Sequence, residues 1–318
     1  MQTRLLGKTD MNITPLGLGA WAMGGAGWAA SWGPQDDEES IRTIQRALDL
    51  GINWIDTAAV YGLGHSEEIV GRAIKGSAKK PYVFTKCSLV WDEHGVIHNV
   101  LKAQSIRREV EASLKRLGVD VIDLYQIHWP NPDPDIEEGW KTLAQLKQEG
   151  KVRAIGASNF TVEQMKRAQK VAPIDTLQPS YSLIHREIEK DILPFCQQND
   201  IGVIVYSPMA SGLLSGTMSR ERIEKLPDDD WRKRDADFQE PRLTRNLELQ
   251  NVLNDIGFLH NVPGGVVAVS WTLQNPAVTA AIVGARHPAQ IEDMVAAAEF
   301  RLTSMEMDQV SSFLQAHV

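Results

Sequence analysis

At 318 residues the chain has room for two average domains, yet α/β barrels of this size routinely form one domain around one core, so length alone favours neither. A net charge of -8, from 41 acidic and 33 basic residues, comes without a basic block or a Lys/Arg stripe; this argues against nucleic acid or an anionic membrane as partner and for a small-molecule ligand. Cys87 and Cys196 make neither a disulfide framework nor a zinc-type pair, and no signal-peptide core or bilayer-length apolar run is present, so the expected location is the reducing cytoplasm.

In chain order, residues 3–6 and 12–15 read as a hairpin around the turn Gly7-Lys8-Thr9-Asp10, predicted to cap one end of the fold. Strand-like apolar runs follow at 16–21, 53–58, 82–88, 121–128, 154–159, 176–180, 202–207 and 280–284. Between them, 37–50, 66–75, 105–117, 136–148, 161–171 and 266–274 carry helical periodicity. Thr161 with Gln164 forms a capping-box signature, and Gly51, Gly118 and Gly150 stand just past helix ends. No Pro/Ser/Gly-rich linker or low-complexity tract divides the chain. Eight β/α alternations therefore predict one domain, residues 1–318, folded as a closed parallel (β/α)8 TIM barrel with an N-terminal hairpin cap.

In such a barrel the chemistry gathers where strands end and the following loops begin. Asp56, Tyr61, Lys86 and His128 fall there. Each alone has an ordinary structural explanation: a turn acceptor, a packing ring, an edge lysine, a core histidine. Together they ask for more, because a closed barrel has no edge and a buried ammonium needs a counter-charge, for which Asp56 on the adjacent strand is placed. A cation beside the hydroxyl would bring Tyr61 below its usual pKa of ~10 and make it a tunable acid. Strand alternation turns Cys87 toward the helices, which leaves it a structural role. No His/Cys/carboxylate group has metal-ligand spacing, so no metal is expected.

Gly17-Leu18-Gly19-Ala20-Trp21-Ala22 fits a loose dinucleotide fingerprint, but the Gly-rich residues after it open no helix to receive a pyrophosphate. A barrel offers its phosphate site after the last two strands instead. Gly284-Ala285-Arg286-His287-Pro288 suits it, with Pro288 at a first helical position and Arg286 able to grip a phosphate. The connection from Ser207 to about Asn246 is long enough to suggest a mobile lid, whose Asp228 to Asp230 and Arg232 to Arg234 read as solvated surface.

Several segments carry a resemblance. They are Arg4-Leu5-Leu6-Gly7-Lys8-Thr9, Pro15-Leu16-Gly17-Leu18-Gly19, and Gly51-Ile52-Asn53-Trp54-Ile55-Asp56-Thr57-Ala58 with Tyr61-Gly62 and Ser66-Glu67. Phe84-Thr85-Lys86 and Asp123-Leu124-Tyr125-Gln126-Ile127-His128-Trp129 continue the series in the same order. Over nearly its whole length the sequence resembles the aldo-keto reductase family. Ile282-Val283-Gly284-Ala285-Arg286 is more similar to its bacterial and potassium-channel-subunit-related branches than to mammalian aldose reductases.

The resemblance implies an oxidoreductase that reduces aldehydes or ketones with NADPH, NADH being possible, through Asp56, Tyr61, Lys86 and His128. Tyr61 would donate the proton, His128 would orient and polarise the carbonyl, and Lys86 held by Asp56 would tune Tyr61. It implies that Ser158, Asn159 and Gln178 hold the nicotinamide carboxamide and that Tyr206 stacks on the ring. Gly19, Ala20, Trp21, Asp56, Ser207, Pro208, Leu213, Gly216, Gly284, Arg286, Gln290 and Asp293 complete the expected cofactor site. Many relatives carry lysine where Gly284 stands, so Arg286 is the expected partner of a 2′-phosphate. Of the loop tryptophans Trp21, Trp28, Trp32, Trp91, Trp129 and Trp231, the expected pocket takes Trp21, Trp32, Trp91 and Trp129 for an apolar or aromatic carbonyl substrate, while Trp54, Trp140 and Trp271 belong to the core. Two rivals stay open: a cofactor-binding sensor with little turnover, and a barrel enzyme using Lys86 as a Schiff-base amine.

Overall fold

A computed structural model of the chain describes residues 1–77, 79–228 and 230–316. Its strands are β1 (Arg4–Leu5), β2 (Asn12–Ile13), β3 (Leu16–Gly19), β4 (Trp54–Asp56), β5 (Tyr82–Cys87), β6 (Leu89–Trp91), β7 (Ile97–Asn99), β8 (Ile122–Ile127), β9 (Val152–Ser158), β10 (Thr176–Gln178), β11 (Gly202–Val205) and β12 (Ala280–Gly284). β3, β4, β5, β8, β9, β10, β11 and β12 pair in parallel in that order, and β12 closes on β3 through pairs such as Ile282 with Gly17. The predicted closed barrel is thus observed, and β1 and β2 form the predicted antiparallel hairpin.

Several strands are shorter than expected, and one hairpin was not expected. The first long strand stops at Gly19, and Trp21–Gly24 turns as a 3-10 helix instead of extending it. β6 and β7 make a second hairpin, after Lys86, that the sequence periodicity did not announce. Three residues per strand are too few to display a period.

Side-chain alternation builds the barrel in layers. Trp54, Phe84, Leu124, Ala154, Ile204 and Ala280 fill the interior, and Leu6, Met11 and Ile13 of the hairpin join them from the N-terminal end. The hairpin turn at Gly7 lies against Asp175 and Gly202, where β11 begins, so that end is plugged. The alternate residues, including Ile55, Val83, Cys87, Tyr125 and Ile127, form the larger core beneath the helices. Gly264–Leu273 is apolar on all sides and wholly buried, as such a helix must be in water. Among the described residues no single helix is long and apolar enough to cross a membrane.

One close approach decides what fills the barrel. The Trp54 indole packs tilted against Phe84 with ring centroids 5.1 Å apart and donates from Nε1 to the Thr14 carbonyl at 2.9 Å. It lies where a side chain on Gly17 would otherwise project. Gly17→Ala is therefore expected to lower stability by about 1–3 kcal/mol through overpacking, read as a reduced urea midpoint; an unchanged midpoint would show that the indole can move aside.

Candidate active site

The residue after each core-filling position, two along the strand, points into the same interior one layer nearer the mouth. Asp56 therefore stands above Trp54, Lys86 above Phe84 and Gln126 above Leu124, and a polar layer rests on an apolar floor. Lys86 is almost fully buried, at 1% exposure. Its Nζ donates to Asp56 Oδ2 at 2.6 Å, to the Thr57 carbonyl at 2.9 Å and to Tyr61 Oη at 3.4 Å, which uses all three ammonium protons. Asp56 Oδ1 accepts from Gln178 Nε2 at 2.8 Å and from Gln126 Nε2 at 3.5 Å. His128, one residue past β8, meets the Tyr61 ring edge-on with centroids 5.7 Å apart. All four expected residues thus converge on one place.

Tyr61 arrives there through a turn that only special backbone permits. Gly62 (φ +62°) and Leu63 (φ +53°) are both left-handed, and Gly62 lies so close to the Gly24 backbone that a side chain would not fit. Trp21 then stacks on the ring at 5.5 Å and Trp28 lies 6.0 Å away, which fixes its plane.

The electrostatics correct one expectation. Tyr61 was predicted to have a lowered pKa, but its hydroxyl is held well above the ordinary phenol value, first by burial and then by the Asp56 carboxylate. The Lys86 charge does not reverse this because Asp56, at 2.6 Å, largely cancels it. Lys86 is itself lowered by burial, against the upward pull of Asp56. Burial, with Lys86 behind it, holds His128 well below the usual imidazole range, so its ring is neutral at physiological pH. Cys87 faces the helix layer, as expected, and burial raises its thiol far out of the reactive range.

A cavity of about 710 Å³ opens above this floor. Asp56, Tyr61 and His128 line it, as do Gly19, Ala20, Trp21, Ser158, Asn159, Gln178, Tyr206, Ser207, Pro208, Gly284, Arg286 and Gln290. Around the walls, Ser158 Oγ donates to the Gln178 carbonyl at 2.8 Å, Asn159 Nδ2 to the His128 carbonyl at 3.1 Å, and Tyr206 Oη to Asn159 Oδ1 at 2.9 Å. Burial pushes the Tyr206 hydroxyl up to about 12.

Three expected cofactor residues lie off the wall. Leu213 is fully buried in the helix-side core, Asp293 is exposed on helix Pro288–Met294, and Gly216 turns toward helix Arg242–His260, where Asn254 Nδ2 donates to its carbonyl at 3.1 Å. Trp91 is also elsewhere: it ends β6 under the Arg116 guanidinium, 5.9 Å from its ring centre, whereas Trp28 and Trp231 do line the cavity beside Trp32 and Trp129.

The segment expected to be solvated is partly buried. Asp229 lies outside the described residues, but Asp230 is only 3% exposed and grips Arg232 through both oxygens, at 2.7 Å on one and 3.0 Å on the other. Arg232 in turn lies 4.7 Å from the centre of the Trp32 ring. Bidentate pairing and an aromatic face together make a guanidinium tolerable out of water. Arg286 is clasped to the same loop, donating to Gln35 Oε1 at 2.8 Å and to the Trp32 and Pro34 carbonyls.

These walls suit a nicotinamide dinucleotide. The indole N–H groups of Trp32 and Trp231 are buried without a partner, both residues line the cavity, and Arg232 and Arg286 add positive charge. A surplus of donors fits a ligand rich in acceptors and negative charge, such as a pyrophosphate.

The sequence model for the Aldo/keto reductase family matches residues 15–315. Aldo-keto reductase YhdN of Bacillus subtilis is 40% identical over 99% of this chain and 94% of its own length. The NADH-specific methylglyoxal reductase of Escherichia coli is 34% identical, covering 98% of each. Among solved structures, the glycerol dehydrogenase AKR11B4 from Gluconobacter oxydans superposes with a TM-score of 0.91 at 41% identity, over 100% of this chain and 96% of that one. Barrel and site together define a carbonyl oxidoreductase. The chain belongs to the aldo-keto reductase family.

Sequence reasoning missed one charged pair on the cavity wall. His185, beyond β10, meets Asp237 Oδ2 at 2.7 Å, and Asp237 Oδ1 also contacts Arg242 at 3.3 Å. No local motif links residues so far apart. The Asp237 contact raises the His185 pKa. The stabilisation is therefore complete below about pH 6.5, the ordinary imidazole value, and is lost as pH rises through the elevated folded value. The wild-type thermal midpoint should accordingly fall relative to that of His185→Gln across this window; parallel midpoints would show that the ion pair contributes nothing.

Proposed function

We propose that the chain reduces aldehydes or ketones to alcohols with NADPH, with Tyr61 as the proton donor and NADH as a possible second cofactor. The observation that carries this is the saturated ammonium of Lys86: every proton is spent on Asp56, Thr57 and Tyr61. Such an amine is unsuited to Schiff-base attack and suited to steadying the phenolate that forms as Tyr61 gives up its proton. The relatives named for methylglyoxal reduction and glycerol dehydrogenation support carbonyl–alcohol chemistry.

The carbonyl oxygen would sit between Tyr61 Oη and the neutral His128 ring, each offering one hydrogen bond to the developing alkoxide. Bound reduced nicotinamide supplies the hydride. Ser158, Asn159 and Gln178 would hold its carboxamide, Tyr206 its ring, and Arg286 with Gln290 the phosphate and adenosine end. The indoles of Trp21, Trp28 and Trp129 would exclude water and take the apolar remainder of the substrate.

Because Tyr61 is held neutral, reduction needs no prior protonation step. Its alkaline limit would come instead from loss of the Lys86 charge, whose pKa is lowered by burial. Tyr61→Phe should bind NADPH normally and lose about 10²–10⁴-fold in turnover, followed as NADPH oxidation with a panel of aromatic and aliphatic aldehydes. Retained turnover would remove Tyr61 from the mechanism, and wild-type binding without turnover would make the protein a cofactor sensor.

The cofactor preference is tested separately. Arg286→Met should weaken NADPH binding about tenfold, as expected for one lost charge-assisted contact, while changing NADH binding little. Equal loss for both would place Arg286 away from the 2′-phosphate.

A further inference from the structure

Tyr61 and Lys86 stand on different elements, and the 3.4 Å between Oη and Nζ is set by whatever joins those elements. Tyr61 opens the left-handed turn Tyr61–Gly64, which runs directly into helix His65–Ile74, while Lys86 belongs to β5. The third residue of that helix is Glu67, a carboxylate with no exposure at all.

Its two oxygens face opposite halves of the pair. Oε1 accepts from Thr85 Oγ1 at 2.6 Å, and Thr85 is the strand neighbour of Lys86, its side chain on the other face of β5. Oε2 accepts from Arg116 Nε at 2.7 Å, and the Arg116 side chain lies directly against Gly64, where the Tyr61 turn ends. Ser66, beside Glu67, donates to the Ala20 carbonyl at 2.8 Å and lies 2.9 Å from Thr57 Oγ1, which pins the start of the helix to the barrel rim.

We infer that Glu67 is a positioning residue for the reaction: by holding Thr85 and Arg116 at once, it sets the register between the Tyr61 turn and the strand carrying Lys86. A buried carboxylate without this task would be a poor choice for stability, since an apolar residue of similar volume often serves as well as a buried ion pair. The inference rests on the proposed roles of Tyr61 and Lys86. Glu67 also acts at longer range, because its charge joins that of Asp56 in opposing the loss of the Lys86 proton. Around Lys86 the titratable groups are Asp56 on β4, Tyr61 on its turn, His128 after β8, Tyr206 after β11 and Glu67 behind β5.

Two variants separate the tie from the charge. Thr85→Val removes the hydroxyl and keeps the ion pair, whereas Glu67→Gln keeps an acceptor for Thr85 and leaves Arg116 without its partner. In the full-length protein both should bind NADPH within about twofold of wild type and lose about tenfold or more in kcat, since small misplacements of reacting groups cost rates of this order. Thr85→Ser should restore kcat. Glu67→Gln alone should move the alkaline limb of the kcat profile to lower pH, because Lys86 has lost a negative neighbour. Near-UV circular dichroism of the ligand-free proteins should also change in both variants, as Tyr61 shifts against Trp21 and Trp28.

A lowered thermal midpoint with unchanged kcat, pH profile and near-UV spectrum would overturn the inference and leave Glu67 a purely structural ion pair. Should Glu67→Gln fail to fold, the Thr85→Val and Thr85→Ser pair decides. If the wild-type protein turns over no carbonyl compound, the proposed function fails, while the near-UV comparison still tests whether Glu67 places Tyr61.

Discussion

A lysine ammonium buried inside a barrel is the constraint on which the site depends. Removed from water, Lys86 keeps its charge only by surrounding itself with acceptors, and it finds them in Asp56, the Thr57 carbonyl and the Tyr61 hydroxyl. Removing one member of such a pair typically costs about 3–5 kcal/mol, because the other is left uncompensated. Gln178 and Gln126 are drawn in to occupy the remaining oxygen of Asp56. In this way one costly charge orders the ends of several strands at once.

The barrel makes that arrangement affordable by segregating layers. Below the charged layer, Trp54, Phe84 and Leu124 form a dry floor sealed by the hairpin. Above it lies a cavity lined in part by Trp32 and Trp231, whose buried indole N–H groups have no acceptor. The same strand alternation that turns Lys86 inward turns Thr85 outward to Glu67, so the reacting face and its support are successive residues of one strand.

Much of this was legible in the sequence, for identifiable reasons. Eight apolar runs alternating with helical stretches left few alternatives to a closed barrel, and charged residues at the ends of strands with no exposed edge stood out against their surroundings. The Thr161–Gln164 capping box appears as expected because its signal is local. What stayed hidden depended on distant partners. Helix Arg242–His260 carries Asn246 and Gln250 in its buried stripe, and these break the apolar period because they bond to the carbonyls of Asp237 and Met218. Asp230 and Arg232 look solvated until Trp32, far away in sequence, supplies a ring for the guanidinium. The direction of the Tyr61 pKa was likewise beyond reach, since it turns first on how deeply the hydroxyl is buried and then on the nearby Asp56 carboxylate.

The plugged floor also governs proton supply. With Trp54 and Phe84 beneath and the hairpin below them, packed apolar side chains close the N-terminal end of the barrel under the site. On the proposed mechanism, the proton that Tyr61 gives to one alcohol must be replaced from the mouth, through the opening that the substrate itself occupies. Recharging the acid and clearing the product then become one event, and each turnover resets only when the site empties.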